Sequence, residues 1–139
     1  MAESAKHLEL IKRIVDYIGN TYIGLDYVAT LHDLPGYIGC EKPPKIGNFR
    51  PDVYAVDAPL TKIIIGEAKT EQDLETCHSR DQLRAFINHL KQERNGILIL
   101  AVPWPALLLG RSIIKKLAHD SGANYVRQIV ISEVGIPAK

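Results

Sequence analysis

Two acids and a lysine stand out for their types and spacing. Pro51-Asp52 precedes Glu67-Ala68-Lys69 with fourteen residues between Asp52 and Glu67, and the second group closes the β-branched run Lys62-Ile63-Ile64-Ile65-Gly66. Side chains alternate along a strand, so Ile63, Ile65, Glu67 and Lys69 fall on one face and Ile64, Gly66 and Ala68 on the other. A second strand over residues 50–56 carries Asp52, Tyr54 and Val56 on one side. Paired as a hairpin through Asp57-Ala58-Pro59-Leu60-Thr61, the two strands return Asp52 to the level of Glu67 and Lys69. Mg²⁺ takes oxygen ligands, usually one or two carboxylates with several waters, and Asp52 with Glu67 meets that demand. A bound metal lowers the pKa of its water and neutralises charge on a phosphate, and a neighbouring ammonium orients the nucleophile. Lys69 suits the second part. The chemistry indicated is metal-assisted hydrolysis of a phosphodiester.

The elements that must position these residues follow from periodicity. Leu8, Ile11, Val15 and Ile18, with Leu10 and Ile14 widening the stripe, predict a first helix from Ala2 or Ser4 to Ile18, ending at Gly19-Asn20. A strand at 27–31, a glycine- and proline-bearing loop at 33–48 and the two motif strands come next. A helix over 79–92 shows Leu83, Phe86, Ile87 and Leu90 on its core face. The near-continuous apolar run at 96–102 reads as a strand buried on both faces. A helix over 106–119 and a strand over 125–132 complete the order αβββαβαβ. The class is α/β, with helices packed on both sides of a mixed central sheet. At 139 residues the chain fits a single domain, 1–139.

With the trio set in this order, the chain resembles the PD-(D/E)XK nuclease superfamily, whose signature is written here as Pro51-Asp52 and Glu67-Ala68-Lys69. The resemblance implies a restriction-endonuclease-like, three-layer α/β/α fold over nearly the whole chain. It implies Mg²⁺, with Mn²⁺ able to substitute, held by Asp52, Glu67 and the Ala68 carbonyl, with Lys69 beside the attacking water. Many members carry an extra acid on the first helix, for which Glu3 and Glu9 are the candidates. The helical wheel sets Glu9 opposite the apolar stripe, whereas Glu3 and His7 lie on or beside it. Some members place a glutamine on the helix after the lysine strand, and Gln82 is the candidate here. Ser79-Arg80-Asp81-Gln82 also reads as a capping box, with Ser79 as the cap. For the trio itself the competing reading is an exposed ion pair on a strand end, with Asp52 a turn residue.

Composition narrows the options. The formal net charge is +1, with 24% charged and 46% hydrophobic residues, so no whole-molecule basic field marks a nonspecific DNA coat. Local candidates for phosphate contact are Arg50, Arg80, Arg84, Arg111 and Lys115, with Lys42, Lys45, Lys116 and His119 nearby in sequence. A solvated helix face is the competing reading for the later ones. The connection at 70–78, with Glu71, Asp73 and Glu75, is expected to be a solvated loop. Trp104, between Pro103 and Pro105, is expected to pack over the sheet end rather than stack on a base. The five histidines show no zinc-type pairing. Nucleophile-elbow, phosphate-loop and dinucleotide patterns are absent. Cys40 and Cys77 sit in unrelated contexts without a signal pattern, which predicts a reducing cytoplasm. The apolar stretch at 97–109 is broken by Pro103 and Pro105 and too short to span a bilayer, so no membrane partner is expected. The expected function is a Mg²⁺-dependent endonuclease on DNA, structure-directed in the manner of junction or repair enzymes, acting as a homodimer or within a larger complex. The alternative is a noncatalytic nucleic-acid-binding or assembly module on the same fold.

Overall fold

The isoleucine run of the motif and the apolar run that follows it form the middle of a mixed five-stranded sheet. The computed structural model describes residues 4–22, 28–37, 41–57 and 62–134, with Val28 and Ala29 described by backbone alone. Its elements are α1 (Ala5–Thr21), β1 (Val28–His32), β2 (Val53–Asp57), β3 (Lys62–Ala68), α2 (Glu71–Leu74), α3 (Cys77–Lys91), β4 (Asn95–Ala101), α4 (Leu107–Asp120) and β5 (Arg127–Ile131). A 3-10 turn, Trp104–Ala106, leads into α4. The strands lie side by side in chain order. β1, β2 and β3 are antiparallel neighbours, whereas β3, β4 and β5 run parallel. Among the described residues no helix is long and apolar enough to cross a membrane.

Alternation along β3 divides the core between two faces. Ile63 and Ile65, with Leu98 and Leu100 of β4, pack against Leu83, Phe86 and Ile87 of α3 and Ile113, Ile114 and Leu117 of α4. Ile64 and Ala68, with Ile97 and Ile99, pack against Leu10, Ile11, Ile14 and Ile18 of α1. Both faces of β3 and β4 are therefore dry, which is why these strands carry apolar residues without alternation. The approach of α1 depends on Gly66. A Cβ there would stand 2.6 Å from Ile14 Cγ2 and 3.1 Å from Val53 Cβ. Polar contacts tie α1 to residues far along the chain: Lys6 Nζ lies 2.9 Å from Glu133 Oε2, and Arg13 Nε donates to the Ser132 carbonyl at 3.3 Å.

Several boundaries differ from the sequence reading, each for a local reason. α1 continues through Gly19 and Asn20, because the Tyr22 amide donates to the Ile18 carbonyl and Tyr22 packs against the α1-side core. That contact outweighs the cost of about 1 kcal/mol for a helical glycine. β2 opens only at Val53: Pro51 has no amide hydrogen and the Asp52 amide is directed elsewhere. The connection at 70–78 is not a plain loop, since it holds α2 and the first two residues of α3. Leu74 anchors it in the core with no exposed surface, and Glu71 and Asp73 sit favourably at a helix start. α3 is capped by Thr76, whose Oγ1 accepts from the Ser79 amide at 3.1 Å. Ser79 is thus inside the helix, and the capping box does not form. Tyr27, placed in the first strand by sequence, lies outside the described residues.

Candidate active site

β2 and β3 pair from Val56 opposite Ile63 to Val53 opposite Gly66. Beyond that point two amides leave the ladder, and each takes a carboxylate from the opposite strand. The Asp52 amide donates to Glu67 Oε1 at 3.1 Å, and the Ala68 amide donates to Asp52 Oδ2 at 2.9 Å. Backbone amides taken from water need partners, and this reciprocal crossing satisfies both while fixing both carboxylates. It sets Asp52 beside Glu67 at the level the hairpin register requires; Ala58, Pro59, Leu60 and Thr61 of the connection lie outside the described residues.

Lys69 extends the parallel ladder, its amide donating to the Ala101 carbonyl at 2.9 Å. Its ammonium lies 3.1 Å from Glu67 Oε2 and donates to Gln82 Oε1 on α3. Glu67 is only 3% exposed and Lys69 7%. Burying an ammonium is tolerable only where a carboxylate and further acceptors surround it, and Glu67 with Gln82 supplies them. The trio and Gln82 are therefore one contiguous cluster. Burial pushes the Glu67 carboxyl well above the ordinary carboxylate range, and the Asp52 charge pushes the same way, against the pull of Lys69 and the Asp52 amide.

A residue from α1 completes the cluster. His7 Nε2 lies 3.1 Å from the Ala68 carbonyl oxygen and 3.5 Å from Asp52 Oδ2. Both partners are acceptors, so Nε2 carries a proton in this arrangement. The helical wheel sets His7 beside the buried stripe without giving it a part. The available signal was its spacing of two helical turns from Ile14, which puts it on the face that meets β3. Among the described residues no three His, Cys, Asp or Glu side chains form a ready-made metal cage. The donors at the strand end are instead two carboxylates and a backbone carbonyl. That hard-oxygen set, with water completing it, is how Mg²⁺ is commonly held. Asp52 and His7 keep 16% and 20% of their side-chain surface exposed, so the cluster is open to solvent on that side.

Other sequence candidates fall elsewhere. Glu9 is 57% exposed at its side chain and pairs with Lys6 at 3.7 Å, because it occupies the outward side of α1; it does not join the site. Glu3 lies outside the described residues. Arg50 braces the loop before β2, donating to the Pro43 carbonyl at 2.7 Å. Arg84 pairs with Asp81 at 3.1 Å, and Arg80 holds a buried Nε without a hydrogen-bond partner. Arg80 and Arg84 line a recess of about 270 Å³ between α3 and α4, shared with Lys116 but also with Glu75 and Asp120. Arg111 and Lys115 are exposed on α4. Among the described residues none of these five makes a hydrogen bond or ion pair to Asp52, Glu67 or Lys69. Trp104 does not pack over the sheet end: it is 60% exposed, its backbone amide held at 2.9 Å by Glu133 Oε1. Comparison with protein-family models, with curated proteins and with solved structures returns no match to this chain.

Proposed function

We propose that this chain is a small Mg²⁺-dependent nuclease of the PD-(D/E)XK superfamily, hydrolysing DNA phosphodiester bonds on a three-layer, restriction-endonuclease-like α/β/α fold. The observation that carries this reading is the crossing of Asp52 and Glu67 at the parted end of β2 and β3, with the Lys69 ammonium 3.1 Å from Glu67. Asp52, Glu67 and the Ala68 carbonyl are the groups that would hold Mg²⁺ or, in substitution, Mn²⁺. When bound, the ion supplies Lewis-acid stabilisation of the phosphate and a more acidic water. Lys69 donates to the attacking water and to the negative charge that builds on phosphorus oxygens. Gln82 holds that ammonium from the α3 side, and His7 holds the Ala68 carbonyl and Asp52 from the α1 side. The cluster lies at the carboxyl ends of the parallel strands β3 and β4, the usual place for ligands on open α/β sheets.

A binding module has no physical use for two carboxylates beside a phosphate, since they repel it unless a cation intervenes. Cutting both strands of a duplex requires two sites, so we read the protein as a homodimer or part of a larger complex. Its action is structure-directed, as in junction or repair processing, and its compartment the cytoplasm. The test is incubation of supercoiled, linear, branched and single-stranded DNA with Mg²⁺ or Mn²⁺, beside Asp52→Ala and Lys69→Ala variants checked for folding by circular dichroism. Divalent-dependent cleavage should fall by about 10²–10³-fold or more in each variant. Undiminished cleavage in both variants refutes the assignment, as does the absence of cleavage on every substrate together with no Mg²⁺ binding by calorimetry.

A further inference from the structure

Trp104 follows β4 by three residues, and β4 is the neighbour of the strand that ends in Glu67-Ala68-Lys69. Ala101 stands opposite Ala68, and its carbonyl accepts the Lys69 amide at 2.9 Å. Adjacent strands lie about 4.8 Å apart, so the turn that carries the indole begins beside the cluster. Trp104 is one wall of a recess of about 390 Å³ whose other sides include Lys6, Thr70, Gln72 and Glu133. Lys6 precedes His7 and Thr70 follows Lys69, so two walls of the recess are chain neighbours of residues in the candidate centre.

Three features make this recess a seat for an aromatic ring. The indole is 60% exposed although it is the largest apolar side chain in the protein. Its backbone is restrained on both sides by proline, with Pro103 at φ −57° and ψ 145°, and its amide is held by Glu133. Proline on both sides and the Glu133 contact fix the backbone that carries the indole, so little backbone freedom is lost when a ligand stacks on it. Charge excludes a phosphate as the occupant: Glu71 and Glu133 outnumber Lys6 among the lining residues. Both Glu133 oxygens are engaged, Oε1 by the Trp104 amide and Oε2 by Lys6. An uncharged, flat, polar-edged ring fits such a place, with the Gln72 amide available to its edge.

We infer that Trp104 is the stacking platform for an unpaired nucleobase next to the phosphate held at the Asp52–Glu67 centre. This rests on the nuclease reading and narrows it to DNA bearing a single-stranded, flapped or frayed nucleotide at the cut. Bases in an intact duplex are already stacked on one another and do not reach the indole, whereas any unpaired base offers a π-face irrespective of its identity.

Trp104 is the only tryptophan in the chain, so its emission reports this site alone. The probes are an oligodeoxythymidine and a blunt-ended duplex of two complementary strands of equal length, titrated into the full chain with Ca²⁺, a cation that takes oxygen ligands, while fluorescence and anisotropy are followed. The expected result is saturable quenching by the oligodeoxythymidine and little by the duplex. Trp104→Ala should weaken oligodeoxythymidine binding by about 5- to 140-fold, and Trp104→Phe should recover most of it. Binding without quenching, equal binding by Trp104→Ala, equal response to the blunt duplex, or no binding at all each overturns the inference. Cleavage with Mg²⁺ is scored separately. Quenching without cleavage removes only the nuclease reading, and cleavage without quenching removes only the platform.

Discussion

Adding one methyl group at Gly66 tests whether the height of α1 above the sheet sets the candidate centre. In Gly66→Ala the new carbon would meet Ile14 Cγ2 at 2.6 Å and Val53 Cβ at 3.1 Å, where carbon atoms rest at about 3.5–4.0 Å. Ile14 and Val53 are both wholly buried, so neither can swing into solvent. Relief therefore requires α1 to lift by roughly 1 Å, the shortfall from ordinary contact distance. Overpacking of this kind costs about 1–3 kcal/mol, or a fall in Tm of about 3–12 °C for a chain of this size. His7 rides on the same helix face two turns away, so its 3.1 Å contact with the Ala68 carbonyl opens as the helix rises. Urea melts of the wild type, Gly66→Ala, Ile14→Ala and the double variant measure the coupling. Ile14→Ala alone costs about 2–5 kcal/mol but deletes the clashing Cγ2. The double variant should consequently be at least about 1 kcal/mol more stable than the sum of the singles predicts. Additivity within about 0.5 kcal/mol, the behaviour of independent sites, refutes the clash. Leu117→Ala, on the α4 side of the sheet, controls for instability. Gly66→Ala should lose more Mg²⁺-dependent cleavage at matched folded fraction, and equal loss refutes the link between α1 and the centre.

Gln82→Ala removes the second acceptor of the Lys69 ammonium, so on the proposed nuclease reading cleavage should fall about 10- to 100-fold, the loss typical of an outer-shell partner, with the α3 cap intact. Thr76→Ala should show the reverse, about 1 kcal/mol lost in urea melts with cleavage unchanged. If Gln82→Ala instead costs helix stability and spares cleavage, Gln82 caps the helix after all. Burial holds the His32 imidazole below its ordinary pKa of 6.5, partly offset by Asp33, and His32 Nδ1 accepts the Leu34 amide. The unfolded chain therefore takes up a proton first as pH falls, and this group's contribution is full above about 6.5 and lost below it. The stability of the wild type relative to His32→Asn should decline between pH 7.5 and 5; a difference that stays flat refutes the account.

Much of the framework is legible locally. Ile63-Ile64-Ile65 and Ile97-Leu98-Ile99-Leu100 are apolar at every position, a pattern suited to strands covered on both faces. The meeting of Asp52 with Glu67 follows from counting outward from a hairpin. Choices between equivalent local signals were not legible. Thr76 and Ser79 are both good caps three residues apart, and the selection rests on the burial of Ser79 in the core-facing turn and the engagement of Gln82 by Lys69. α2 has a single buried residue, Leu74, too little for any periodicity. The placement of His7 depends on a partner 61 residues away, and the backbone of Trp104 is held by a carboxylate 29 residues further on. Such contacts have no signature within a sequence window.

The strand order of the sheet also dictates the sequence of events during synthesis. Each strand from β2 to β5 docks on the one made just before it, so the sheet grows through connections of modest length. Among the described elements α1 precedes the sheet and is tied to it late, because its polar ties reach Ala68 at a separation of 61 residues, Ser132 at 119 and Glu133 at 127. Until β5 and the residues after it have left the ribosome, the helix bearing His7 has only part of its seat. The α1 side of the centre, which carries His7, is thus steadied by residues more than a hundred positions further along the chain.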